Sequence, residues 1–223
     1  GVKLYFMLGL PTETDEDVLG IAEMANRVIH TWRESASNKA RGVRITVSTS
    51  WFVPKPFTPF EFEPQVDNTE ILRRQNLLRN AITSKKIRAS MHVSEVSRME
   101  AVLARGDRRL CDVVYAAWKK GCKLDSWDEY FDGERWLEAF AECGVTPEFY
   151  ANRTRSYEEI MPWDHLDYLV SKQFLIRENK LAHEGQTTPS CREKCAGCGV
   201  CVNTCPKNII KLIPFDSSFF IIL

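Results

Sequence analysis

No sign of charge dominates this sequence: 30 Lys plus Arg are matched by 30 Asp plus Glu among 223 residues. That balance removes any global electrostatic case for nucleic acid or an anionic membrane as partner. The local basic runs, Arg73-Arg74 and Lys85-Lys86-Ile87-Arg88, read as solvated helix faces and ends. No apolar run reaches the roughly 18 residues of a membrane span; the nearest is the closing Phe219-Phe220-Ile221-Ile222-Leu223. The start, Gly1-Val2-Lys3-Leu4-Tyr5-Phe6, lacks the basic-then-apolar layout of a secretion signal and has no Met. The expectation is a piece of a longer cytoplasmic polypeptide. Repeats and low-complexity tracts are missing too. Nor are the cysteines spread as a disulfide scaffold would need. Cys111, Cys122 and Cys143 are scattered, and the other five fall between 191 and 205, which points to a metal. With 44% hydrophobic residues, a core can form without cross-links.

Strand and helix patterns alternate. Val2 to Leu8 is a short apolar run closed by Gly9-Leu10-Pro11. Thr12 or Thr14 then caps a helix with an acidic first turn, Glu13 to Asp17, and Val18, Ile21, Ala22, Ala25, Val28 and Ile29 at helical spacing. A second strand, Val43 to Thr49, precedes a segment broken by Pro54, Pro56 and Pro59, where neither helix nor central strand can run. Asp67 with Glu70 forms a capping box for a helix carrying Ile71, Leu72, Leu77, Leu78, Ala81 and Ile82. A third strand, Arg88 to Val93, ends at Ser94, read as the cap of another helix.

Strand-then-helix repeated in this way predicts an α/β fold with a parallel sheet. In the second strand Ile45 and Val47 face one way while Thr46, Ser48 and Ser50 face the other. One greasy face and one polar face suit a barrel or half-barrel lumen that receives a polar ligand, or an edge strand with one wet face. From Glu95 to Asn179 the pattern is helical and carries Trp118, Trp127, Trp136 and Trp163, which predicts a helical layer packed on the sheet. The polar linker His183 to Ser190 leads to the cysteine-rich tail.

That tail reads Cys191-x3-Cys195-x2-Cys198-x2-Cys201-x3-Cys205-Pro206. From Cys195 onward it is the C-x2-C-x2-C-x3-C-P run of bacterial ferredoxins. Thiolates so closely spaced wrap one face of a cubane only if the backbone turns tightly, and Gly197 and Gly199 permit this. Amides in such a turn point at the sulfur and favour its negative charge. Cys195, Cys198 and Cys201 are the first ligands, with Cys205 or Cys191 as the fourth. A zinc knuckle with four thiolates tolerates similar spacing and stays open as the alternative. Cys191, Cys195 and Cys198 also spell C-x3-C-x2-C, the spacing of clusters that cleave S-adenosylmethionine. That motif, however, precedes the bulk of a barrel rather than following it.

The segment Lys3-Leu4-Tyr5-Phe6-Met7-Leu8-Gly9-Leu10-Pro11-Thr12-Glu13-Thr14 resembles the "GLPGET" stretch inside radical S-adenosylmethionine (radical SAM) barrels, with Thr12 where glycine is usual. Ser48 to Phe60 is similar to the next strand and loop of the B12-binding members of that group. Gly106-Asp107-Arg108-Arg109-Leu110, Ser126-Trp127, Glu148-Phe149-Tyr150 and Pro162 to Asp167 resemble an uncharacterised branch whose members end in a cysteine-rich tail. The resemblance implies the C-terminal half of a (βα)6 partial TIM barrel over 1–105, a helical region over 106–182, and a linker with a small ferredoxin-like tail over 183–223. It also implies that the cobalamin domain and the loop for the SAM-cleaving cluster lie on a missing N-terminal half, so that this chain alone does not start the radical reaction. Strand faces bearing Tyr5, Met7, Gly9, Ser48 and Ser50 would then line the cavity for S-adenosylmethionine and substrate. His92 would stand at its mouth, and Asp164 with His165 forms a pair of interest. The implied partners are a small-molecule substrate and an electron donor such as flavodoxin or ferredoxin. Rival readings are a ferredoxin-like electron-transfer or adaptor protein and a zinc-stabilised interaction module.

Overall fold

A computed structural model describes residues 1–40 and 42–201. Cys205, Pro206 and the strand expected over 208–213 lie outside the described residues. The chain divides into two compact units: Gly1–Lys55 with Glu63–Arg155, and Pro56–Phe62 with Ser156–Leu223.

The first unit is built on three parallel strands, β1 (Val2–Leu8), β2 (Ile45–Trp51) and β3 (Ile87–Met91), in the order β1-β2-β3. Helix α1 (Asp15–Ser35) joins β1 to β2, and α2 (Asn68–Ala81) joins β2 to β3. Parallel neighbours need such crossovers. Thr14, not Thr12, caps α1: its hydroxyl accepts from the Asp17 amide, and the Asp17 carboxylate accepts from the Thr14 amide in return. Asp67 caps α2 by accepting from the Glu70 amide, but the expected box is only half formed, because the Glu70 carboxylate accepts from Arg73 and Arg74 instead.

Burial is one-sided. Leu8, Ile45, Val47, Trp51 and Ile87 pack against Val18, Ile21, Ala22, Ala25 and Ile29 of α1 and Ile71 and Leu78 of α2. Leu72, expected on the same face, is exposed. It lies one residue, about 100° of helical rotation, from Ile71, so only one of the two faces the core. Strand β2 begins two residues later than expected and runs on to Trp51, because Trp51 pairs with Leu8 and is buried with it. Strand β3 ends at Met91, and α3 (Ser94–Ala104) begins at Ser94 itself. Val93 occupies the cap position without a side-chain hydrogen bond, and the Ser94 hydroxyl donates to the Glu95 carboxylate instead.

Helix α3 is followed in the same unit by α4 (Leu110–Lys119), α5 (Gly133–Glu142) and α6 (Pro147–Ala151). The expected layer on the sheet has a core of its own. Ala101, Val102, Val113, Ala117, Trp136, Phe140 and Tyr150 form a cluster distinct from that beneath the strands. Trp118 and Trp127 are exposed rather than packed. Two buried arginines brace this region: Arg105 donates to the carbonyls of Ala151 and Arg153, and Arg155 donates to that of Arg105.

The second unit contains a short 3-10 helix, Pro59–Phe62, and α7 (Lys172–His183), around Phe62, Met161, Trp163 and Leu175. No helix among the described residues is long and apolar enough to cross a membrane.

Ile45 is fully buried in the central strand, whereas Ser50 points from the same strand to the open side. Ile45→Ala is expected to lower the unfolding free energy by about 2–5 kcal/mol. Ser50→Ala is expected to change it by no more than about 0.5 kcal/mol. Urea unfolding followed by circular dichroism checks the pair; equal losses would refute the one-sided sheet.

Candidate functional site

Pleating sends alternate residues to opposite faces, so the face of the sheet opposite α1 and α2 carries Lys3, Tyr5, Met7, Thr46, Ser48, Ser50, Arg88 and Ser90. The register sets Tyr5 beside Ser48 and Ser48 beside Ser90, and puts Met7 beside Ser50. Within its unit this face is open: Tyr5 is 72% and Met7 48% exposed. The structure thus brings Met7, Ser48 and Ser50 together on one surface, with Tyr5 alongside.

Gly9 stands just past the end of β1 with φ of +84°, and a Cβ there would come within 2.9 Å of Val66. Both the left-handed backbone and the close approach require glycine. Its amide donates to both carboxylate oxygens of Glu13 at 3.0 Å. Glu13 is itself ion-paired with Arg74 of α2, both side chains nearly buried. Arg74 also binds Glu70, and Arg73 joins Glu70 to Asp15. The Arg73 hydrogen bond is the main cause holding the Glu70 carboxyl down at about 2. This network ties the loop after β1 to α2. Its Glu70–Arg73 and Glu70–Arg74 contacts follow from helical spacing. The Glu13–Arg74 contact crosses 61 positions of sequence and has no local signal.

The histidines and Asp164 take modest positions. His92 is exposed and places Nδ1 3.0 Å from the Ser97 hydroxyl. Asp164 accepts from the Met161 amide at 2.9 Å and from Lys172 Nζ at 3.2 Å, so it holds a turn, while His165 is exposed. His30 pairs with Glu34 along the exposed side of α1. Sequence reasoning missed Glu61. It is buried in the second unit, where Oε2 accepts from the Phe57 amide at 2.7 Å and from Trp163 Nε1 at 2.9 Å. Burial pushes its carboxyl above the ordinary range, against the pull of those donors.

In the cysteine-rich tail, Cys191 and Cys195 are exposed and Cys198 and Cys201 half-buried. Gly197 and Gly199 adopt φ of +65° and +102°, the tight turn that the spacing anticipates. The Gly197 amide lies 3.4 Å from Cys195 Sγ and donates to it. Two further bonds tie the turn to α7: the Ser171 amide donates to the Cys198 carbonyl at 2.9 Å, and Arg177 Nη2 donates to the Ala196 carbonyl at 2.5 Å. Among the described residues no three metal-capable side chains converge. The donor set nonetheless fits iron–sulfur chemistry: closely spaced thiols on a glycine turn with an amide already aimed at sulfur. Cys122 and Cys143 stand apart on the helical region, and burial pushes both thiols up, away from the thiolate that a metal needs.

A separate cleft of about 840 Å³ opens between α3 and α5, lined among others by Val96, Met99, Val102, Phe131, Leu137 and Arg98. Among the described residues, neither the cysteines nor those of the open face line it.

Residues 192–211 match the 4Fe-4S binding domain family, a span that takes in Cys195, Cys198, Cys201 and Cys205 and leaves Cys191 just outside. An uncharacterized protein of Methanocaldococcus jannaschii is 32% identical over 109 residues, covering 49% of this chain and 22% of that protein. An uncharacterized polyferredoxin-like protein of the same organism is 40% identical over 47 residues, covering 21% of this chain and 22% of that protein. The chain thus spans about a fifth of each of these curated relatives. No solved structure matches it. The chain therefore combines a mixed α/β body with an iron–sulfur segment of the 4Fe-4S type.

Because the folded-state pKa of Glu61 is raised, its ionisation costs stability. The contribution is favourable below the ordinary carboxylate pKa and is lost as pH rises through the raised value. Glu61→Gln retains an oxygen for both donors and cannot ionise. Its unfolding free energy relative to the parent should therefore increase as pH rises from about 4 to 7. Denaturation series across that range check it; a difference that stays flat would refute a raised pKa.

Proposed function

We propose that the cysteine-rich tail serves one-electron transfer as an auxiliary [4Fe-4S] site, and that the α/β body is the C-terminal half of a radical SAM barrel of the cobalamin-binding group. The observation that carries the first part is the glycine turn, with its amide on Cys195 sulfur, inside a segment that matches a 4Fe-4S binding domain. A bound [4Fe-4S] cluster supplies a one-electron couple whose potential responds to amide donors and nearby charge. Cys195, Cys198, Cys201 and Cys205 are the ligands in this reading, and Cys191 is spare. Four thiolates leave no open iron, which suits electron transfer better than substrate binding. An external carrier, flavodoxin or ferredoxin, would exchange the electron.

The second part is supported by the parallel β1-β2-β3 sheet, helices on one face and polar residues on the other. Met7, Ser48 and Ser50 would face S-adenosylmethionine and substrate in the complete barrel, with Gly9 shaping the loop at its rim. In this reading 1–105 is the half-barrel, 106–182 the helical region and 183–223 the linker and cluster tail. The SAM-cleaving cluster and the cobalamin domain belong to the remainder of a longer cytoplasmic enzyme. One observation favours a second reading, a ferredoxin-like carrier whose α/β body only docks partners: the 40% identity to a polyferredoxin-like protein.

Reconstitution without oxygen, followed by metal analysis and EPR, tests the shared core of both readings. The expected product is brown, holds about four irons per chain and loses them in Cys198→Ala and Cys201→Ala variants. A colourless protein with about one tightly held zinc would overturn it. Joined to the upstream half, the protein should cleave S-adenosylmethionine if the barrel reading holds; a carrier would not.

A further inference from the structure

The carbonyls of the cysteine turn are not free to point anywhere. Ala196 O is held by Arg177 Nη2 at 2.5 Å, and Cys198 O by the Ser171 amide at 2.9 Å, so both face α7. In a trans peptide the carbonyl and the amide of one unit point in opposite directions. Fixing the carbonyls of Ala196 and Cys198 towards α7 therefore turns the amides of Gly197 and Gly199 away from it. One of them already meets sulfur, the Gly197 amide on Cys195 Sγ at 3.4 Å. Ser171 is anchored in turn as the cap of α7, its hydroxyl accepting from the Phe174 amide.

Arg177 also brings charge. Its guanidinium lies over the Phe174 ring, 5.0 Å from the centroid, and 3.1 Å from the Glu178 carboxylate. Glu178 accepts from the Thr188 hydroxyl as well, which ties down the linker that precedes the cysteines. The turn is thus held from α7 by a cation that is ion-paired with Glu178.

We infer that Arg177 is a positioning residue for the iron–sulfur site, which aims the Gly197 amide at Cys195 sulfur and raises the potential of the bound cluster. The inference rests on the iron–sulfur reading above. Reduction adds one electron, taken here from a dithionite-poised mediator; no covalent bond forms or breaks, and no proton moves. Added negative charge is favoured by a nearby guanidinium and by an amide pointing at sulfur. Loss of Arg177 removes both and disfavours the reduced state.

The test is anaerobic reconstitution of the full chain as parent, Arg177→Ala, Arg177→Lys and Glu178→Gln, with iron content, EPR and the midpoint potential as readouts. Arg177→Ala should retain the parent's iron yet reduce at more negative potential. The expected shift is at least about threefold in the one-electron equilibrium, about 28 mV at about 59 mV per decade. Arg177→Lys should recover most of that shift. Glu178→Gln, which leaves the guanidinium unopposed, should move the potential the other way. Should Arg177→Ala bind no iron, the Lys and Gln variants decide. Unchanged potentials in a parent that holds its cluster would overturn the role of Arg177. A parent that binds no iron would instead overturn the iron–sulfur reading itself.

Discussion

One-sided burial of a parallel sheet is the constraint on which the first unit depends. Strand β2 has a neighbour on each edge, and its Ile45, Val47 and Trp51 must leave water on the face covered by α1 and α2. Burying each such side chain is worth about 1.5–3 kcal/mol. That gain fixes the register with β1 and β3, because a slip of one residue would reverse every side chain on the strand. The same register sets Tyr5, Met7, Ser48, Ser50 and Ser90 side by side on the opposite face. The arrangement of that face is thus a by-product of core packing. It gathers hydroxyls and one thioether without any of them contributing to the core.

The loop after β1 adds a second layer of control. Gly9 turns with a positive φ where a Cβ would strike Val66, and its amide is taken by Glu13. Glu13 is in turn bound by Arg74. A nearly buried carboxylate with a cation and an amide on it is costly to disturb, because removing one partner leaves the other charge without compensation. The loop is therefore held by α2, which lies far along the chain. In the second unit Glu61 has a comparable task, accepting from Phe57 and Trp163 and so joining the Pro56–Phe62 stretch to residues a hundred positions later.

Within that second unit, helix α7 holds the cysteine turn. Ser171 and Arg177 take the carbonyls of Cys198 and Ala196, and a turn with tethered carbonyls presents its amides on the other side. Thiolate spacing alone says which residues can share a cluster. What the surrounding protein adds is the direction of its dipoles and charges.

The parts legible in the sequence were those governed by short-range rules. The span of β1, a threonine cap at the start of α1, the Asp67 cap, the buried stripe of α1 and the glycine turn among the cysteines all follow from alternation, helical spacing or local hydrogen bonding. So does the thiol spacing that identifies the 4Fe-4S segment. Other features were decided in three dimensions. The end of β2 at Trp51 depends on pairing with Leu8, and the start of α3 at Ser94 on where β3 stops. The separate core of α3 to α6, which leaves Trp118 and Trp127 exposed, depends on which helices meet. The contacts of Glu13 with Arg74, Glu61 with Trp163 and Arg177 with Ala196 join residues 61, 102 and 19 positions apart. A side chain's helical or strand face is set by its neighbours in sequence. Its partner across such gaps is set only when the chain has folded back on itself.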